Sequence, residues 1–202
     1  MAKIASEPTK PVRLLGVDPG SQKTGWGVIE VCYQTGRFSH VDNGVLMLDR
    51  NEALVERLVD LSAALHRLVK DYKPDRAAVE DVFLAKSAKS ALVLGQARGA
   101  VLASIGLVGV PINSYSSTRV KSLVTGQGRA GKDQVAHWVC QHLSLPEKPF
   151  EDAADALAVA LCLGMELISP AIIQEQKKLG PVKARRSSRR SIEALARAQG
   201  KL

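Results

Sequence analysis

The chain contains 202 residues, of which 46% are hydrophobic and 24% charged, and it carries a formal net charge of +8. This length accommodates one full domain with tails, and the composition is that of an ordinary soluble globular protein with enough apolar residues for a core. Three widely spaced cysteines without a CxxC pair argue against a disulfide framework or a structural zinc site. The chain shows neither a secretory h-region nor an uninterrupted apolar stretch of about 18 residues, so we expect a cytoplasmic protein without a membrane span.

The predicted elements begin after a loose, proline-containing arm over residues 1–11. Short apolar runs that end in turn residues predict strands over 12–18, 24–31 and 38–48, with a hairpin turn around Gln34 to Gly36. Leucines at helical spacing predict an amphipathic helix over 51–72, which Pro74 ends. Further along, the pattern predicts strands over 76–83 and 110–116, and helices over 86–106, 117–124, 132–143 and 151–168.

The order of these elements predicts the fold class. Three strands in a meander, followed by alternating helices and strands, are typical of a ribonuclease H-like α/β domain, with a five-stranded mixed sheet flanked by helices. We assign this domain to residues 12–170. Residues 171–202 are rich in Lys, Arg, Ser, Ala and Gln and poor in large apolar side chains, which predicts a basic, disordered tail.

Positive charge is concentrated in two parts of the chain. Residues 174–202 hold nine basic and two acidic residues, a net charge of +7, whereas residues 1–173 carry only +1. Between Asp81 and Asp133 there is no acidic residue, and seven basic residues occur: Lys86, Lys89, Arg98, Arg119, Lys121, Arg129 and Lys132. Such a stretch can be a solvated helix surface, but its length favours a polyanion as the partner.

Four carboxylates stand where apolar residues would be expected. Asp18 ends a predicted buried strand, and Glu80 lies within another. Asp152 and Asp155 are three residues apart near the start of an apolar helix, a spacing that puts both on one face. A buried carboxylate without a partner costs several kcal/mol, so each of these positions requires a physical reason.

Each acid also has an ordinary structural explanation. Asp18 can organise the Asp-Pro-Gly turn, and Glu80 or Asp81 can pair with a nearby Lys or Arg. Asp152 and Glu151 can simply favour the helix N-terminus. The predicted topology favours a shared role. Because the first strand and the strand after the first crossover helix are expected to be neighbours, Asp18 and Glu80 would lie side by side beneath the last helix.

Carboxylates gathered in this way require positive charge. At about 6 Å and an effective dielectric constant of about 20, each pair of like charges costs roughly 3 kcal/mol. Divalent cations relieve that repulsion, and a ligand set made only of oxygens favours Mg²⁺ or Mn²⁺ over zinc. Two such ions about 4 Å apart can activate a water and stabilise the leaving oxygen of a phosphodiester, so the pattern predicts a nuclease.

Three blocks of the sequence, GVDPGSQKTGWGVI, VEDVFLAKSAKSALVLGQARGA and EDAADALAVA, resemble the RuvC family of Holliday-junction resolvases in their order and spacing. The resemblance runs from about Arg13 to Glu166. It implies two Mg²⁺ per site, with Mn²⁺ as a substitute, bound by the catalytic carboxylates Asp18, Glu80, Asp152 and Asp155. It also implies a homodimer that nicks a four-way DNA junction symmetrically in recombination and repair, leaves 5′-phosphate and 3′-hydroxyl ends, and works with the RuvA–RuvB branch-migration complex.

The resemblance gives roles to the basic stretch as well. Lys121 and Lys132 fall where the family places lysines near the scissile phosphate, so that a cation offsets developing charge, and Lys132 is counted among the catalytic residues. Phe83 falls where the family has an aromatic residue that stacks on a base, although a core phenylalanine is the alternative. More generic phosphate contacts are expected from Lys86, Lys89, Arg98, Arg119 and Arg129. Tight turns and close approach of DNA are expected at Gly20, Gly25 and Gly27.

Other functions stay open on the sequence. A different ribonuclease H-like nuclease, such as one that processes structured RNA, would share the carboxylates and differ in substrate. A non-catalytic DNA-binding module would have no use for four acids that repel phosphate. The Asp-Pro-Gly turn followed by Thr24 and Gly25 superficially resembles the phosphate loop of an actin-like or sugar-kinase-like ATPase, but that fold needs two such domains, more than 202 residues supply.

Overall fold

The computed structural model describes residues 10–81 and 87–169. Its five strands form one mixed sheet in the order β3-β2-β1-β4-β5, flanked by helices, as predicted. The strands are β1 (Val12–Asp18), β2 (Lys23–Cys32), β3 (Arg37–Met47), β4 (Arg76–Glu80) and β5 (Ile112–Tyr115). The helices are α1 (Leu54–Tyr72), α2 (Ala88–Leu107), α3 (Ser117–Thr125), α4 (Lys132–Leu143) and α5 (Glu151–Leu167).

The sheet is a meander extended by parallel strands. The first three strands pair antiparallel in sequence order, and a single buried threonine closes the turn between β1 and β2: the Thr24 hydroxyl donates to the Gly20 carbonyl at 3.1 Å and accepts from the Gly20 N–H at 3.2 Å. β4 then pairs parallel with β1, and β5 parallel with β4. The two parallel neighbours therefore end at the same edge of the sheet as Asp18.

Helices cover both faces of the sheet, which explains why its central strands are apolar throughout. Successive side chains of a strand point to opposite faces. Leu14 packs into the cluster that contains Leu157 and Leu161 of α5, whereas Leu15 packs into the cluster that contains Leu61 of α1. Each such side chain contributes roughly 1.5–3 kcal/mol when fully buried, and α5, which packs on β1, β2 and β4, is the most deeply buried helix.

The predicted boundaries differ from the structure at a few ends. Helix α1 begins at Leu54 rather than at residue 51, and its first turn starts where the Glu56 carboxylate accepts the Ala53 N–H. β4 ends at Glu80, so this acid closes the strand instead of lying inside it, and the rest of the predicted strand over 76–83 falls largely outside the described residues. The predicted arm over 1–11 and tail over 171–202 lie almost wholly outside them too, so the domain division stays a prediction.

Helix α2 is the one described helix long and apolar enough to cross a membrane by length and composition. Such a finding is weak evidence by itself, because helices of proteins that never enter a bilayer also satisfy it. The sequence prediction of no span relied on the charges that interrupt the helix, which here are Lys89 and Arg98. Only 22% of the apolar window is buried, so α2 keeps a largely uncovered face.

Candidate active site

Asp18 and Glu80 end neighbouring parallel strands at the same edge of the sheet. Val17 pairs with Val79, and the acid that follows each valine ends its strand. The N-terminal half of α5 lies over this edge and brings Asp155 to it. The expected placement of the two strand acids beneath the last helix is thus found.

Glycines allow α5 to lie this close to the sheet. A Cβ atom on Gly25 would stand 1.9 Å from the Asp152 carbonyl oxygen, and one on Gly16 would stand 2.1 Å from the Ala156 carbonyl oxygen. Both distances are shorter than any side chain tolerates. Gly27 likewise faces Leu157, so the expectation that Gly25 and Gly27 serve the approach of DNA is corrected: they serve the approach of a helix.

Burial and mutual repulsion perturb the acids at this edge. Burial, together with the charges of Glu80, Asp155 and Asp152, raises the pKa of Asp18 to about 8, against a lowering by Lys132. Burial is also the largest cause that raises the pKa of Glu80 and of Asp155. Because these carboxylates resist being ionised at the same time, the site favours a bound cation.

Two lysines supply positive charge next to these acids. The Lys132 ammonium, at the start of α4, lies 2.5 Å from the Glu151 carboxylate and 3.7 Å from that of Asp155. Lys121, on α3, lowers the pKa of both Glu80 and Asp155 through its charge. Both lysines predicted from the resemblance to act at the site are therefore beside it.

Sequence reasoning missed two residues of this site. The Ser117 side chain, in the first turn of α3, hydrogen-bonds Glu80 and lowers its pKa. Glu151 binds Lys132, where the sequence suggested only a helix-terminal acid. The run Ser116-Ser117-Thr118 directly after β5 was the available signal for the first, because a hydroxyl-rich helix start after a parallel strand lies at the same edge as the acids.

The donor set fits a hard divalent cation in its chemistry. Four carboxylates offer only oxygen ligands, the set that Mg²⁺ and Mn²⁺ prefer. Among residues 10–81 and 87–169, however, no three Asp, Glu, His or Cys side chains are already gathered closely enough to ligate one ion. In the chain alone the Lys132 ammonium, 3.7 Å from the Asp155 carboxylate, partly balances its charge.

The predicted DNA contacts divide into three groups. Lys89 and Arg129 are exposed, Lys89 in the first turn of α2 and Arg129 in the loop before α4. Arg98 and Arg119 instead direct their guanidinium groups at carboxylates of the chain, 2.6 Å from Asp81 and 2.7 Å from Glu166 respectively. Phe83 and Lys86 lie outside the described residues.

Comparison with known proteins adds independent findings. A family model described as crossover junction endodeoxyribonuclease RuvC matches residues 14–163. A protein of that name from Citrifermentans bemidjiense is 48% identical over 149 residues, which cover 74% of this chain and 90% of the relative. The structure of Thermus thermophilus RuvC in complex with a Holliday junction substrate matches with a TM-score of 0.72 at 30% identity, over 81% of this chain and 96% of that one. A fowlpox virus resolvase, at 13% identity and a TM-score of 0.52 over 76% of this chain and 99% of that one, shares the fold.

Proposed function

This chain belongs to the RuvC family of crossover junction endodeoxyribonucleases, and we propose that it resolves four-way DNA junctions by paired, symmetric nicks. The observation that carries the proposal is the edge where Asp18 and Glu80 end adjacent strands beneath Asp155, with Lys132 alongside. The Thermus thermophilus relative, described in complex with a Holliday junction, supports the junction as the substrate. The proposed role of this chain is therefore in DNA recombination and repair.

The carboxylates Asp18, Glu80, Asp152 and Asp155 would hold the divalent cations, two Mg²⁺ per site with Mn²⁺ as a substitute. Bound there, the metal would activate a water and stabilise the leaving oxygen of the phosphodiester. The chain itself contributes the buried position of Asp18, whose raised pKa marks a negative charge that the protein alone does not balance.

Lys132 and Lys121 contribute the remaining positive charge. A cation beside the scissile phosphate offsets the charge that develops during cleavage, and both ammonium groups lie next to the carboxylates. In the proposed reaction the water oxygen bonds to phosphorus and the bond from phosphorus to the 3′ oxygen breaks. One proton ends on that oxygen, so the products carry a 5′-phosphate and a 3′-hydroxyl that a ligase can join.

Symmetric nicking of two strands requires two sites, and the uncovered face of α2 supports a homodimer. Leu92 and Leu107 are 65% and 80% exposed. Between them the outward positions carry the small residues Gly95, Gly99 and Ala103, and no atom lies within 4 Å of where a Cβ would stand on either glycine. An exposed apolar stripe with so little side-chain bulk lets two identical helices approach closely about a two-fold axis.

The homodimer has its own test. Leu92→Glu places a charge in the proposed interface, so sedimentation at micromolar concentration should show a monomer where the parent chain is a dimer. Met47→Glu is the matched control, because Met47 is 68% exposed on β3, away from α2, and its substitution should leave the dimer intact. A dimeric Leu92→Glu chain, or a monomeric parent, would contradict this interface.

Further contacts complete the proposal. Lys89 and Arg129, with the predicted contacts Phe83 and Lys86, would bind the junction arms largely through phosphates, which is typical of sequence-independent binding. The family resemblance adds the RuvA–RuvB complex as a partner, and a cytoplasmic location where chromosomal DNA is accessible in bacteria.

The deciding experiment compares a mobile synthetic four-way junction with linear duplex of the same sequence, in Mg²⁺ or in EDTA. We expect paired, metal-dependent nicks on the junction alone, with end-labelling that shows 5′-phosphates, and no cleavage by Asp18→Asn. Binding without cleavage under Mg²⁺ and Mn²⁺ would leave a junction-binding module. Equal cleavage of linear duplex, or preferred cleavage of a structured RNA, would keep the nuclease and reject the junction as its substrate.

A further inference from the structure

Arg98 extends from the middle of α2 to the end of β4. Its Nε donates to the Glu80 carbonyl oxygen at 3.2 Å, and one terminal nitrogen donates to the Asp81 carboxylate at 2.6 Å and to the Ser114 hydroxyl at 2.8 Å. The side chain is three-quarters buried, with 25% of its surface exposed. One guanidinium thus joins α2, β4 and β5 at the edge that carries the acids.

We propose that Arg98 is a positioning residue for the Glu80 carboxylate, rather than one of the general phosphate contacts that its place in the basic stretch suggests. The inference rests on the proposed function, in which Glu80 binds metal. Replacing a side chain that orients a metal ligand typically lowers metal affinity or activity by about 10- to 100-fold.

The geometry explains why this position needs a guanidinium. Glu80 is the last residue of β4, and beyond it the Asp81 N–H still donates to the Tyr115 carbonyl at 2.8 Å. Arg98 binds the same peptide from the opposite side, through the carbonyl of Glu80 and the carboxylate of Asp81 together. A planar, forked donor makes both bonds at once, which a lysine ammonium on a flexible stem does not reproduce.

Beyond its pairing with β5, Glu80 is held at two further points. Ser117 contacts its carboxylate from α3, and Arg98 contacts its main chain from α2. Loss of the Arg98 bonds leaves the peptide between Glu80 and Asp81 with its bond to the Tyr115 carbonyl but without the second anchor on its other side. The expected effect is a carboxylate that still exists at the site but spends less time in the orientation that a metal ligand needs.

The test replaces Arg98 with Met, which keeps much of its apolar volume, and measures the Mg²⁺ concentration that gives half-maximal junction cleavage. We expect that concentration to rise about tenfold. Asp81→Asn keeps the bond from Arg98 to the Glu80 carbonyl, so this variant should raise the half-maximal Mg²⁺ concentration less. Arg13→Met is the matched control: Arg13 binds the Glu30 carboxylate at 2.7 Å and the Tyr72 carbonyl at 2.8 Å at the opposite end of β1, so it should lose stability without changing the metal requirement.

A second readout uses no DNA and no turnover. Metal that binds only the folded chain raises its melting temperature by an amount that grows with the logarithm of the metal concentration divided by Kd. At equal Mn²⁺ concentration, Mn²⁺ should therefore stabilise Arg98→Met less than Arg13→Met. An unchanged metal requirement together with weaker junction binding in EDTA would make Arg98 a phosphate contact and overturn the positioning role. A parent chain that fails to cleave junctions would instead reject the proposed function, while the DNA-free metal titration would still decide about Arg98.

Discussion

The buried Asp18 should make the metal-free protein less stable than a variant that lacks its charge. Asp18→Asn replaces a carboxylate with a neutral side chain of the same shape. The pKa of Asp18 is about 8 in the folded chain, against an ordinary value of 3.8. Between those two values the folded state holds a proton that the unfolded state releases, so the stability of the parent chain falls as pH rises through this window.

The size of the effect follows from the same two pKa values. At about 1.4 kcal/mol per pKa unit, the linkage at pH 7 amounts to roughly 4 kcal/mol at most. Structural relaxation around a charged group reduces that figure, and we expect Asp18→Asn to gain about 2 kcal/mol in EDTA. In a chain of this size that gain corresponds to a rise in Tm of about 4–8 °C.

The assay is thermal unfolding of both chains from pH 5 to pH 9, once in EDTA and once in Mg²⁺. The parent chain should lose stability as pH rises in EDTA and recover it in Mg²⁺, whereas Asp18→Asn should respond little to pH or to metal. Junction cleavage by Asp18→Asn should be absent throughout. Equal stability of the two chains at pH 8 in EDTA, or equal stabilisation of both by Mg²⁺, would refute the account of Asp18 as an unbalanced charge awaiting a cation.

Three further predictions concern other parts of the molecule. Gly25→Ala should cost about 1–3 kcal/mol of stability and most of the activity, because the added methyl group displaces the Asp152 backbone. Gly106→Ala is the control, because its Cβ would meet nothing closer than 3.9 Å. In chemical denaturation this variant should be at least as stable as the parent. Lys132→Met should lower kcat about 100-fold and leave junction affinity in EDTA within a fewfold, and an equal loss in both would argue against a role in the chemical step. Truncation at Pro170 should preserve cleavage and flatten the salt dependence of junction binding, and an unchanged slope would dismiss the basic tail as a DNA arm.

The balance of charge around the site has a consequence for the order of binding. Lys132 contacts Glu151 and Asp155 in the chain alone, and the same ammonium is the group proposed to face the scissile phosphate. The pair between Lys132 and Glu151 is largely exposed, so it contributes little to stability and is readily exchanged for a phosphate partner. We therefore expect Lys132 to release Glu151 when it contacts a DNA phosphate. The helix-terminal position of Glu151 did not suggest this role.

Much of the fold was determined by the sequence itself. Strands and helices follow from the periodicity of apolar residues, and their order leaves few topologies that obey the rules for parallel connections. Asp18 and Glu80 drew attention because a carboxylate in an apolar strand is costly, and the topology alone put them side by side. The structure places the two acids at the ends of neighbouring strands, whereas their role as metal ligands stays a prediction.

The tertiary structure decided what each remaining polar residue contacts. Arg98 and Arg119 belong to the same basic stretch as Lys89 and Arg129, yet Arg98 and Arg119 bind carboxylates of the chain, whereas Lys89 and Arg129 form no ion pair with a described carboxylate. Such choices depend on the packing of segments far apart in sequence, and composition and periodicity do not say which partner a charged side chain reaches. Gly25 shows the same limit: its sequence context indicated close approach, but only the packed helix identified α5, rather than DNA, as the group that approaches.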